Sequence, residues 1–128
     1  MGDLVKIDYS VALKSNLDLD ELIKPLSKEI LLFSTKIAGI YKLQDKTPAL
    51  ALKKGDRLLF RRGSSKYEKN LVLILSEDMK EVGSIPEQDS VIFARLMDAG
   101  KSLFARVKEI SLTHSMRMID IDIYLEDF

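Results

Sequence analysis

The sequence predicts a mainly β fold, a small twisted β-barrel of about six strands with two helices, and three observations carry that expectation. Short apolar runs recur at tight spacing along residues 30–125, separated by polar links rich in Gly, Ser and Asn. Near the end, Met116, Met118, Ile119, Ile121 and Ile123 interleave with Asp120 and Asp122, the period-two pattern of a half-buried strand. One helical pattern is inserted late, opened by Pro86 and closed by Gly100. Short strands with a late helix suit a small barrel.

Taken in order, residues 5–13 alternate loosely and read as a strand or ordered arm. Asn16 offers an N-cap for a helix over 17–29, with Asp18, Asp20 and Glu21 near its positive end. Leu19, Leu22, Ile23, Leu26 and Ile30 recur at helical spacing, and Pro25 kinks or splits the helix. A strand follows over 30–41, bent at Gly39, and then strands over 57–62 and 71–75. A turn at 76–80 leads into a short strand over 81–85. The second helix covers about 86–99, with Val91, Ile92, Ala94, Leu96 and Met97 as its buried side, broadened by Phe93. Two final strands, 103–111 and 116–125, flank a loop at Thr113-His114-Ser115. Nothing reads as a linker, repeat or low-complexity tract, so residues 1–128 form one domain.

Composition narrows the class. The chain has 128 residues, 46% hydrophobic and 31% charged, ordinary values for a globular domain of modal size. Cysteine is absent, which removes disulfides, thiol nucleophiles and zinc ribbons, and fits a cytoplasmic location. Asp3, Lys6 and Asp8 break any signal peptide, and no apolar run reaches the roughly 20 residues that span a bilayer. No membrane role is expected.

Twenty basic and twenty acidic residues cancel, but their distribution is uneven. Between Lys42 and Asn70 stand nine basic side chains against three acidic ones, a net of +6, whereas 120–128 holds four acids and no base. Such a segment suits either a polyanion-binding face or a solvated set of hairpins.

Catalytic templates are largely missing. No phosphate-cradling loop exists, since Lys53-Lys54-Gly55-Asp56 lacks the required glycine spacing and following Ser or Thr. His114 is the only histidine, so it cannot build a multi-histidine metal site, and no Gly-x-Ser-x-Gly elbow accompanies it. An exposed turn histidine or a polar ligand contact are its readings. Asp120 and Asp122 share a strand face and could share a cation, but alternating acid and isoleucine is also what a half-solvated strand needs. We expect no catalysis, no cofactor and no metal.

The stretch Arg61-Arg62-Gly63-Ser64-Ser65-Lys66-Tyr67-Glu68-Lys69-Asn70, followed by an apolar strand, resembles the HIRAN domain family. The family pattern is a strand ending in Arg-Glu-Pro, then Asn-Pro-Tyr-Asp-x-Asn-Ala-Ile, a strand, and a Gly-Tyr-Ile-Pro turn into a helix. Arg61 matches the arginine, Ser65 the first asparagine, Tyr67 the tyrosine, Glu68 the aspartate and Asn70 the second asparagine. Val82-Gly83-Ser84-Ile85-Pro86 resembles the turn, 94–100 the helix end, and Ala38-Gly39-Ile40-Tyr41 the opening segment. The resemblance covers about residues 32–110, as in small stand-alone bacterial members, and leaves the arm and helix of residues 1–30 outside it.

The resemblance implies an OB/SH3-like barrel that binds nucleic acid without chemistry of its own, in particular the 3′ end of single-stranded DNA. It also implies a DNA-repair or helicase protein as partner. Carried over, Tyr67 is a stacking platform, Glu68 accepts a hydrogen bond from the terminal hydroxyl, and Lys42 and Arg61 hold phosphate. Tyr41 is a second platform, and Ser65, Asn70 and Ser84 complete the pocket; His114, beyond the resemblance, is read from its turn position as a further polar contact. Ser65 departs from asparagine, Glu68 is one methylene longer than aspartate, and Ser84 replaces a tyrosine or histidine. The alternative class is a protein-interaction domain that uses a sheet edge and the amino-terminal helix.

Overall fold

The computed structural model describes residues 28–114 and 116–127. Its strands are β1 (Lys28–Lys36), β2 (Arg57–Arg62), β3 (Val72–Ser76), β4 (Glu81–Ser84), β5 (Ser102–Thr113) and β6 (Met116–Asp127). They form one sheet in the order β1-β6-β5-β2-β3-β4, every neighbouring pair antiparallel. Two helices accompany it, α1 (Thr47–Leu50) and α2 (Glu87–Asp98), with a 3-10 turn at Ile40–Lys42. The sheet curls into a half-barrel, so the expected mainly β barrel of six strands is the architecture found.

The alternation in β6 sets the inner face. Ile119, Ile121 and Ile123 are fully buried beside Leu58, Val72, Ile74, Val82, Ala105 and Val107. Each such isoleucine contributes about 1.5–3 kcal/mol relative to exposure. The intervening acids point the other way and are absorbed by β1: Asp120 pairs with Lys36, and Asp122 accepts the Ser34 hydroxyl. The pair is therefore explained by strand packing. Among the described residues no group of three or more His, Cys, Asp or Glu could hold a metal ion.

Several elements differ from expectation. The strand expected over 30–41 ends at Lys36 and starts earlier, because Lys28 and Glu29 pair with Asp127 and Glu126 on β6. Helix propensity at those two residues yields to the ladder; the rest of the helix expected over 17–29, and the strand expected over 5–13, lie outside the described residues. A short helix not expected from the pattern, α1, begins with Pro48 in its first turn. Asp45 braces its entry, accepting the Thr47 amide at 3.0 Å, and this bond holds the Asp45 carboxyl below its ordinary value. The stabilisation is present above the ordinary carboxylate range and is lost as pH falls through the lowered value.

Helix α2 carries Glu87 and Asp89 in its first turn, where the dipole favours acids. It ends in a Schellman arrangement: Lys101 N donates to Leu96 O, Gly100 N donates to Met97 O, and Gly100 takes φ 85°. Its buried face is Ser90, Phe93 and Ala94, with the Phe33 and Phe93 rings 5.9 Å apart. Val91 and Ile92, expected inside, are outside instead, Ile92 at 66% exposure. Ser90 takes the inner position, its hydroxyl satisfied by the Glu87 carbonyl one turn back at 3.0 Å.

The edges of the curled sheet meet at one point. Just beyond β1, Ala38 N donates to Ser84 O at 2.8 Å and Ser84 N donates to Ala38 O at 2.9 Å. Gly83 makes this approach possible: a Cβ there would stand 2.3 Å from Ile37 Cγ2 and 2.6 Å from the Ala38 carbonyl oxygen, at φ 149°. Gly83→Ala should therefore part the bridge. We expect a loss of roughly 2–4 kcal/mol in chemical denaturation, while Gly55→Ala, facing open space, loses only the cost of its positive φ.

Candidate functional site

The bridge joins two of the segments that form the site, and strand pairing brings in the third. The 3-10 turn carrying Tyr41 and Lys42 follows Ala38 directly, and Gly39, at φ 73°, turns the chain into it beside the Ser84 side chain. After Ser84 the chain bonds back to β3 through Ile85 N to Val72 O, 3.0 Å, and then starts α2. The 63–71 loop leaves β2 and returns to β3 on the same side of the molecule, with Glu68 against Ser90 in the first half of α2.

Local hydrogen bonds shape that loop. Ser65 Oγ accepts the Glu68 amide at 2.9 Å and the Tyr67 amide at 3.3 Å, while Ser65 N donates to the Glu68 carbonyl at 3.0 Å. Serine thus performs the loop-closing work of a short polar side chain. The turn presents Tyr67 outward with 86% of its surface exposed. Its ring does not pack on the barrel, and Lys66 Nζ lies 5.9 Å from the ring centroid. Tyr41 repeats the arrangement: it is 70% exposed, with Lys42 Nζ at 5.7 Å.

Glu68 is half-buried, and its Oε1 stands 3.5 Å from Ser90 Oγ. That contact is long, and the single hydroxyl proton is better placed on the Glu87 carbonyl. The carboxylate therefore keeps capacity to accept another donor. Arg61 alternates onto the outer face of β2, opposite Leu58 and Phe60, and is exposed with no ion pair among the described residues. Asn70 is half-buried in the turn before β3. His114, at φ 50°, occupies the tip of the β5–β6 hairpin, and among the described residues no hydrogen bond links it to the loop.

The residue that fixes the loop is Arg62, which stands at the Glu position of the Arg-Glu-Pro pattern. Its Nη1 donates to the carbonyls of Leu71 at 2.7 Å and Gly63 at 3.2 Å, and Nη2 reaches Lys69 O at 3.4 Å. Nε donates to Asp98 at 2.9 Å, at the last turn of α2. One guanidinium thus joins both ends of the loop to the helix. Sequence reasoning missed it, although Asp98 carried a signal: a carboxylate at the negative end of a helix dipole needs a nearby cation.

Arg62→Ala leaves three loop carbonyls without this donor, so it should cost about 1–3 kcal/mol and speed hydrogen exchange at the Gly63 amide. Asp98→Ala removes an exposed carboxylate while Arg62 keeps its loop carbonyls, and should cost about 1 kcal/mol. Denaturation paired with amide exchange checks both.

No curated protein matches the sequence significantly. Among solved structures, a protein from Lactobacillus plantarum superposes with a TM-score of 0.71 at 18% identity, over 80% of this chain and 99% of that one. The HIRAN domain of human HLTF superposes with a TM-score of 0.63 at 12% identity, over 78% of each chain. At those identities the superpositions establish the fold. The family model of the HIRAN domain matches residues 30–126, somewhat further at both ends than the motifs alone indicated, and the chain belongs to the HIRAN domain family.

Proposed function

We propose that the protein is a non-catalytic binding module for single-stranded nucleic acid, DNA in the first place, that receives a 3′ end at the Tyr67–Glu68 loop. Family membership supports the general class, since HIRAN domains are known for DNA binding. The observation that carries the finer reading is the pair of exposed tyrosines, each with a lysine beside its ring. An exposed aromatic face with an adjacent cation stacks a base and meets its phosphate in one motif. Stacking of this kind contributes about 1–3 kcal/mol per base with little sequence preference.

Glu68 supplies the end preference. Its uncommitted carboxylate accepts a hydrogen bond from a terminal hydroxyl and repels a terminal phosphate at the same place. Lys42, Arg61 and Lys66 neutralise backbone phosphates, while Ser65, Asn70 and Ser84 set the pocket's shape; His114 is a peripheral contact if the strand reaches the hairpin tip. A DNA-repair or helicase protein is the partner class that fits such a module.

One observation favours a second reading. The edge strand β1 exposes Ile30, Leu31, Leu32 and Phe33, a surface suited to a protein partner. Salt separates the two, because phosphate neutralisation releases counterions and contact with an apolar edge does not.

Fluorescence anisotropy with a labelled single strand tests the proposal. Affinity should fall with a slope near −2 in log K against log salt, at about −0.7 per phosphate for three contacts. Tyr67→Ala should weaken binding roughly 5- to 150-fold, and a 3′ phosphate should weaken it further than a 5′ phosphate does. Equal binding to both ends would remove the role of Glu68. No binding at low salt would sink the nucleic-acid reading and favour the protein-partner one.

A further inference from the structure

A cleft of about 660 Å3 opens at the start of β2, at the other end of that strand from the Tyr67 loop. The 45–57 segment, the turn between β3 and β4, and Arg106 of β5 form its walls. Its size lies within the usual range of small-ligand sites.

Arg57 and Arg106 both line this cleft, and they are register partners on neighbouring antiparallel strands. Like charges directly opposite each other destabilise a sheet unless something compensates them. Both guanidinium groups lie over one ring, that of Phe104, at 4.5 and 5.3 Å. Phe104 is fully buried and stacks on Tyr124 at 5.1 Å, so the two arginines share a rigid aromatic base.

The compensation inside the protein is partial. Glu126 takes one Arg57 Nη2 bond at 2.7 Å, but Glu29 stands 3.7 Å from Arg106, too far for a hydrogen bond. The Nε of Arg57 is buried and has no hydrogen-bond partner among the described residues. Asp122 stands opposite Arg106 on β6 but accepts the Ser34 hydroxyl, and neither it nor Asp45 nor Asp56 forms an ion pair with either arginine among the described residues. Arg106 makes no side-chain hydrogen bond among the described residues, and both arginines line a ligand-sized cleft.

We propose that the Arg57–Arg106 pair binds the phosphate group of a small phosphorylated ligand seated in this cleft. A tetrahedral phosphate accepts from two converging forks at once, whereas a planar carboxylate matches one fork. Asp45, Asp56, Glu77 and Asp78 also line the cleft, so the two arginines hold the phosphate against their repulsion. Lys80, on the same turn, gives a third positive contact. The site is separate from the Tyr67 loop and stands or falls independently of it.

The test follows the arginine Nε–H resonances by NMR while inorganic phosphate is added at constant ionic strength, with Arg57→Lys assigning the Arg57 signal. The Arg57 signal should shift and saturate, with a Kd in the low millimolar range or tighter. Arg106→Met should weaken the titration at least tenfold, and Tyr67→Ala should leave it unchanged. Should Arg106→Met disturb the sheet, Lys80→Met, on the exposed turn, is expected to weaken phosphate binding several-fold. A linear response matched by chloride would overturn the proposal, as would an Arg106→Met titration equal to wild type. A single-stranded oligonucleotide that leaves the phosphate shift in place supports the small-ligand assignment. One that displaces phosphate from Arg57 would overturn it and give the cleft to a nucleic-acid backbone.

Discussion

The contact on which this structure depends is the backbone bridge between Ala38 and Ser84. Two hydrogen bonds, 2.8 and 2.9 Å long, connect the chain leaving one edge strand to the strand at the other edge. They require Gly83, because any Cβ there would collide with Ile37 and the Ala38 carbonyl. They join the two edges of the curled sheet beside the buried core that Ile37 and Val82 share. With them, the 3-10 turn bearing Tyr41 and Lys42 stands next to the junction of β4 and α2, and the Tyr67 loop reaches that helix from β2.

Held this way, the site combines fixed backbone with free side-chain ends. Arg62 and Ser65 supply most of the loop's internal hydrogen bonds, so Tyr67 can be almost fully exposed on a determined backbone. Preorganisation of that kind lowers the entropy lost on binding, because little beyond the side chain has to be ordered. An exposed ring on a soft loop would lose much of its stacking energy to that cost. The arrangement suits the proposed module, which would grip any base and discriminate at the end of the strand.

Much of this was legible in the sequence, for reasons that differ by element. The bounds of β2 match the expected 57–62 because its apolar run lies between clear turn signals, and β6 was legible because one isoleucine face alternates with acids. The face of α2 was misread: hydropathy puts Val91 and Ile92 inside, but the Ser90 hydroxyl bonds Glu87 and stands beside Glu68. The early end of β1 was hidden because it results from Ala38 crossing to Ser84, a contact between residues far apart in sequence. Among the site residues, the motif pointed to Arg61, yet the guanidinium that shapes the loop belongs to Arg62. Alternation on a strand could have indicated that Arg62 faces inward, but only the fold reveals Asp98 waiting for it.

The most direct test of the central claim is chemical-shift mapping of the backbone amides with a short single strand that ends in a free 3′ hydroxyl. The account predicts that the largest changes fall on Tyr41, Lys42, Ser84, Tyr67 and Glu68, the first two of which the Ala38–Ser84 bridge joins to the others. Changes concentrated on β1 and its exposed apolar side chains, with the Tyr67 loop unmoved, would contradict it.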